Sequence, residues 1–253
     1  MRIESDDEAG VRCAAWRKTI DTQVLALTED NLIAVNARNH SDFPRCMAVR
    51  FSELDAWSIH LQLLFGAVEF LASGKRHERL RFVFNTVGWR HVEATLTRLG
   101  HKTMSYRPTK SAHNHHDRHC YPNLPLKFQY HLNSMFLPGE QILALVYQNS
   151  QVHKVYRWKS VSIPGWVLVH TSDRLVVLHE PQSASNTKFG VRMLNILPRS
   201  YGDLVLREGK NGIALEFSSY DGMLRLGIEP DKVSTVAEFL LNAQYRLHRA
   251  SRD

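Results

Sequence analysis

An internal echo at a nearly constant distance constrains this chain more than any other feature. Leu25, Thr28, Asp30, Leu32, Ile33 and Val35 are matched by Leu168, Thr171, Asp173, Leu175, Val176 and Leu178, each 143 residues later. Both stretches read as an apolar run, a polar turn built on Thr and Asp, and a second apolar run. That is the pattern of a hairpin in a half-buried sheet. The correspondence continues in both directions. Trp16, Arg17 and Lys18 begin 142 residues before Trp158 and Lys159, Ala67-Val68-Glu69-Phe70 precedes Ala214-Leu215-Glu216-Phe217 by 147, and Leu80-Arg81-Phe82 precedes Leu224-Arg225-Leu226 by 144. A shared order at a shared offset, with small drifts assigned to loops, predicts one design present twice.

Each half closes with an amphipathic helix. Val92, Leu96 and Leu99 fall on one face, and Gly100 follows them as a natural stop. In the second half Val233, Val236, Leu240, Ala243 and Leu247 recur at spacings of 3 and 4, and Pro230 stands where a first-turn proline is tolerated. Val92, Leu96 and Leu99 match Val236, Leu240 and Ala243 at an offset of 144. Several strands followed by one helix, twice over, is an α+β layout without βαβ alternation.

Composition sets the outer bounds. With 253 residues, 43% of them hydrophobic, the chain has length for one large or two small domains and apolar side chains to fill their cores. No apolar run approaches the roughly 20 residues of a membrane-spanning helix. The opening residues carry Glu4, Asp6, Asp7 and Glu8 where a secretory signal would be basic. Cys13, Cys46 and Cys120 form no CxxC pair and are odd in number, which excludes a disulfide framework and fits a reducing, cytoplasmic compartment. The predicted organisation is a first domain at 1–103, a His-rich basic linker at 104–127 and a second domain at 128–253, with a short helix expected at 128–136.

In the second half, Leu137, Pro138, Gly139, Glu140 and Leu143 lead into a strand. Val167 to Val177 then form a hairpin around Thr171-Ser172-Asp173-Arg174-Leu175, and Glu229-Pro230-Asp231 opens the closing helix. Over 137–247 this pattern resembles bacterial pleckstrin-homology-like (PH-like) and GRAM-like domains. The first half keeps Thr28, Asp30 and Leu32, with Asn31 where the family often has arginine. The resemblance implies two tandem PH-like units, each a strongly bent antiparallel β-barrel or sandwich capped by one C-terminal helix. It also implies a binding platform, since such domains hold phosphoinositides, other lipid headgroups or peptides; the fold alone does not choose among them.

Enzyme signatures are missing from the sequence. Gly66 and Gly74-Lys75-Arg76 are separated by seven residues where a phosphate loop needs four, and Arg76 stands in place of the hydroxyl that holds magnesium. GxSxG, HExxH and GxGxxG do not occur. No enzyme and no cofactor are expected. His113, His115, His116, His119 and Cys120 crowd metal-capable side chains into the linker, and a helical turn there would put His115 and His119 on one face. The preferred reading is a solvated His-rich linker that binds metal only adventitiously, because such a cluster lacks a packed shell to orient it.

Five basic residues lie where the resemblance puts the ligand edge of the first hairpin: Arg17 and Lys18 in the first half, and Lys154, Arg157 and Lys159 in the second. Arg157 and Lys159, two apart, would share a strand face and a phosphate, with Trp158 between them free to dip into a membrane or stack on a base. Solvated edge residues are the competing account. All five tryptophans, Trp16, Trp57, Trp89, Trp158 and Trp166, are expected in the core, and an interfacial or stacking role for Trp158 is the lesser reading. The resulting expectation is a PH-like binding or scaffolding module engaging an anionic lipid headgroup or a protein partner. The net charge of +7 makes nucleic acid the alternative ligand.

Overall fold

The structure, a computed structural model, describes residues 3–4, 22–37, 45–61, 65–73, 78–103, 123–136, 140–156, 159–180, 190–209, 212–217 and 224–250. The chain divides into two compact units, Met1–Ser105 and Tyr106–Asp253. In the first, β1 (Ile3–Glu4), β2 (Thr22–Leu27), β3 (Asn31–Ala37) and β4 (Arg45–Arg50) pair antiparallel in chain order. A 3-10 turn at Phe51–Glu53 leads to β5 (Leu54–Leu61), β6 (Phe65–Ala72) and β7 (Glu78–Asn85), also paired in order. A second 3-10 turn at Thr86–Gly88, capped by the Asn85 carboxamide oxygen accepting from the Val87 N–H, opens α1 (Trp89–Thr103).

Period-two burial in β3, where Leu32 and Ala34 are buried between half-exposed neighbours, shows a sheet with one dry face. One helix stripe, Val92, Leu96 and Leu99, is buried with it. Gly66 is required where it stands: a Cβ there would lie 2.2 Å from the ring of Phe84, its register partner on β7. That ring also stacks on Trp89 at 6.0 Å.

The second unit begins with α2 (Leu126–Met135), whose Phe128 and Leu132 are buried. Next come β8 (Ile142–Gln148), β9 (Gln151–Tyr156), β10 (Lys159–Ile163), β11 (Trp166–Thr171), β12 (Leu175–His179) and β13 (Val191–Ile196). Strands β8, β11, β12 and β13 pair antiparallel in that order, while β9 and β10 pair with each other as a ribbon inserted between β8 and β11. A 3-10 turn at Pro198–Asp203 precedes β14 (Leu204–Gly209), β15 (Gly212–Phe217) and β16 (Arg225–Gly227), which are antiparallel in order. The turn Pro230–Lys232 and α3 (Val233–Ala250) close the unit.

Apart from α2 and the β9–β10 ribbon, the two units carry the same order of elements: four strands, a 3-10 turn, three strands, a 3-10 turn and a helix. Detail follows order. The Asn31 N–H donates to Thr28 Oγ1 at 3.0 Å and the Thr28 N–H to the Asn31 carbonyl at 2.9 Å; Arg174 and Thr171 repeat both bonds at 3.0 and 2.9 Å. Glu69 on β6 faces Arg81 on β7 at 3.6 Å, and Glu216 on β15 faces Arg225 on β16 at 3.2 Å. Val92, Leu96 and Leu99 are buried in α1, as are Val236, Leu240 and Ala243 in α3.

The architecture is therefore α+β with antiparallel strands. Among the described residues the strands pair as open runs, and no hydrogen-bonded closure makes a barrel. No described helix is long and apolar enough to cross a membrane. Trp57 and Trp166 are fully buried and Trp89 is half-buried, while Trp16 and Trp158 lie outside the described residues.

Candidate functional site

The β9–β10 ribbon and its connection hold four of the six ligand residues singled out in the sequence. Residues 151–163 contain Lys154, Arg157 and Lys159, the aromatics Tyr156 and Trp158, and no carboxylate. Backbone register sets Lys159 opposite Tyr156 and Ser160 opposite Lys154, with a shift between Lys159 and Ser160. The two lysines thus stand on partner strands one residue out of direct register, next to the connection between the strands. Arg157 and Trp158, and the side chains of Lys154 and Lys159, lie outside the described residues. So do Arg17, Lys18, His113, His115, His116, His119 and Cys120.

What holds the ribbon is well defined. It leaves β8 after Gln148 and returns at Trp166, which are register partners and both buried. The Gln148 carboxamide donates to the Gly227 carbonyl at 3.1 Å and accepts the Glu229 N–H at 2.9 Å, and the Trp166 indole N–H donates to the same Gly227 carbonyl at 3.2 Å. Gly165 permits close approach at the root, since a Cβ there would lie 3.0 Å from the Ser150 nitrogen. Its N–H donates to Glu180 Oε2 at 3.0 Å, and its carbonyl accepts the Glu180 N–H at 3.0 Å. The base of the ribbon is thus fixed by hydrogen bonds of the Gln148, Trp166 and Glu180 side chains.

The same unit contains a buried ion pair that the sequence did not flag as a pair. Arg174, at the hairpin turn, donates from Nε to Glu140 Oε1 and from Nη2 to Oε2, both at 2.9 Å, and from Nη1 to Asn195 Oδ1 at 2.9 Å. Thr171 Oγ1 donates to Glu140 Oε1 at 2.7 Å. The Arg174 side chain is 4% exposed and that of Glu140 0%, so the pair is desolvated but bidentate and satisfied. Glu140 and Arg174 are 34 residues apart, and no spacing rule connects them.

His131, Leu132 and Phe136 lie over Arg174, Val176, Met193 and Asn195, leaving a gap with no room for a water-sized molecule. Burial holds the His131 imidazole below its ordinary pKa. Burial, with Asp173 and Glu140 adding and Arg174 opposing, pushes the Tyr201 hydroxyl up. This cluster orders the turn and the sheet face; among the described residues it offers no opening to a substrate. Among the described residues no group of three or more His, Cys, Asp or Glu is placed to hold a metal ion. The chain matches no family model, no curated protein and no solved structure.

Proposed function

We propose that this protein is a non-enzymatic binding module built of two PH-like units, and that the β9–β10 ribbon of the second unit engages an anionic lipid headgroup surface. The common order of elements, the repeated Thr-turn hydrogen bonds, the repeated Glu–Arg strand pairs and the matching helix faces support a duplicated design. Four strands, then three, then one helix are the elements of a PH-like sandwich, with the ribbon lengthening the connection between the first two strands of the second unit. The observation that carries the function is charge: three cations, two aromatics and no acid within residues 151–163, on a base pinned by Gln148 and Trp166. Cations near an anionic leaflet contribute about 1 kcal/mol each, and aromatic side chains suit the interface.

The test is sedimentation with vesicles containing phosphatidylserine, comparing wild type with Lys154→Glu/Arg157→Glu/Lys159→Glu. Wild type should bind at low salt. The triple variant should lose about 3 kcal/mol or more. Equal sedimentation, or none by wild type, overturns the lipid reading and leaves a protein partner as the ligand of the same ribbon. Binding to duplex DNA that falls steeply with salt, without vesicle binding, would move the protein to the nucleic-acid alternative.

A further inference from the structure

The first unit has a cavity of about 280 Å³ at the end of α1, lined among the described residues by Leu27, Thr95, Arg98, His101 and Lys102. Leu27 is the last residue of β2, ahead of the Thr28 turn. Thr95, Arg98 and Lys102 follow one another at helix spacings of 3 and 4, so they share a face of α1, with His101 beside them. Thr95 is buried, and its hydroxyl donates to the His91 carbonyl within its own helix at 2.9 Å. Lys102 is fixed at the rim: its Nζ donates to the Glu29 carbonyl at 2.9 Å and lies 5.6 Å from the centre of the Phe51 ring. The carboxylates of Glu29 and Asp30 on the adjoining turn are not among the lining residues.

The second unit shows why this space exists. At the offsets that align the two helices and the two hairpins, Thr95 corresponds to Phe239 and Leu27 to His170. Phe239 is 5% exposed, its ring 6.4 Å from that of His170, which in turn lies 6.0 Å from Tyr201. Two rings occupy there the position that a threonine and a leucine line in the first unit. The rim differs as well: Arg98, His101 and Lys102 correspond to Asn242, Tyr245 and Arg246. A threonine in place of Phe239 and basic residues in place of Asn242 and Tyr245 fall at one place in one unit, which is the combination an anion with an apolar body requires.

We propose that this cavity binds a phosphate monoester, its phosphate on Arg98, His101 and Lys102 and its apolar body against Leu27 and Thr95. The site lies in the other unit from the β9–β10 ribbon, so it goes beyond the vesicle-binding reading and stands or falls separately. Lipid and soluble phosphate monoesters share this chemistry, and the probes separate them. The full chain is titrated by calorimetry with phenyl phosphate, dihexanoyl phosphatidic acid and inorganic phosphate. Saturable 1:1 binding of either organic probe is expected, at least tenfold tighter than inorganic phosphate. The tighter of the two assigns a soluble or a lipid source.

Thr95→Phe, which installs the side chain of the second unit, should abolish this binding while vesicle sedimentation stays at the wild-type level. Arg98→Gln/Lys102→Gln, two exposed substitutions that leave the core alone, should weaken it at least tenfold. Absence of saturable binding by either organic probe overturns the proposal. So does equal affinity in the Arg98→Gln/Lys102→Gln variant, or inorganic phosphate binding as tightly as the esters.

Discussion

The β2–β3 hairpin of the first unit and the β11–β12 hairpin of the second are tied by the same Thr-turn hydrogen bonds, yet they live in different surroundings. In β3 burial alternates residue by residue, whereas every residue of β11 and β12 is buried. The cause is α2. Phe128 and Leu132 are buried in it, Phe128 meets Tyr147 of β8 edge to face at 6.2 Å, and His131, Leu132 and Phe136 lie over Val176, Met193 and Asn195. At the tip of α2, Lys127 pairs with Glu180 beyond the end of β12. In the first unit, register places Ile33 and Ala48 where the second has Val176 and Asn195; Ile33 is half-exposed and Ala48 exposed. A face open to water needs no partner for polar atoms, so Asn31 suffices at the turn. A covered face that keeps an arginine must also keep its carboxylate and carboxamide.

The sharpest way to break that comparison is to strip the pair. Glu140→Gln leaves the Arg174 charge buried without its counter-charge, and the second unit should lose about 3–5 kcal/mol. Glu140→Leu/Arg174→Met removes both charges and should recover most of it. Asn31→Ala at the corresponding turn should change the first unit by less than about 1 kcal/mol. Urea unfolding followed by hydrogen exchange, which reads the two units separately, is the measurement. Equal losses from Glu140→Gln and Asn31→Ala would deny that coverage by α2 makes the difference.

Next in size are the helix faces, where the units should agree. Leu96→Ala in α1 and Leu240→Ala in α3 remove buried leucines at corresponding positions, 6% and 8% exposed, and each should cost its own unit about 2–5 kcal/mol. A cost below about 1 kcal/mol at either site would show that its helix is not part of a packed core. The turn threonines come third. Thr28 is exposed, so Thr28→Ala should cost about 0.5–1.5 kcal/mol, while Thr171→Ala also takes a hydrogen bond from buried Glu140 and should cost about 1–3 kcal/mol. A reversed order would mean that the Glu140 bond contributes nothing.

These elements differ in how far they could be read from the sequence. Both hairpins and both closing helices were legible because periods of 2 and 3.6 leave a local imprint, and the Ala-x-Glu-Phe and Leu-Arg stretches recur because they face each other across β6–β7 and β15–β16. The helix expected at 128–136 starts two residues earlier, at Leu126, and α1 runs through Gly100, expected as its stop, to Thr103. Pairing across long separations left no imprint: Glu140 with Arg174, Gln148 with Gly227 and Glu229, and α2 with the outer sheet face. A half-buried hairpin was expected in both units, and coverage on two faces is a tertiary fact that β11 and β12 signal only through continuous apolar runs. The cavity beside Thr95 was invisible for the same reason, since Leu27 and the α1 face that line it come together only in the folded unit.

Titration offers the smallest effect and the finest test of what α2 does. The His131 imidazole, half-buried against the sheet, has its folded-state pKa lowered by desolvation, so the folded second unit favours the neutral ring. The unfolded chain takes up the proton near the ordinary value of about 6.5. The contribution of neutral His131 is therefore complete above that value and is lost as pH falls through it toward the folded-state pKa, with a slope of at most about 1.4 kcal/mol per pH unit. The raised Tyr201 pKa acts at the other end: stability is present below the ordinary tyrosine value and lost as pH rises through it. In the first unit Phe51, which cannot titrate, holds the place of Tyr201 before the strand that follows the turn; the carbonyls of both accept the N–H of the next strand's first residue. Stability of the second unit should thus decline between pH 7 and pH 5, and His131→Asn should flatten that decline. A slope unchanged by His131→Asn would mean that α2 does not shield this histidine in solution, and with it would go the account of why β11 and β12 are dry on both faces.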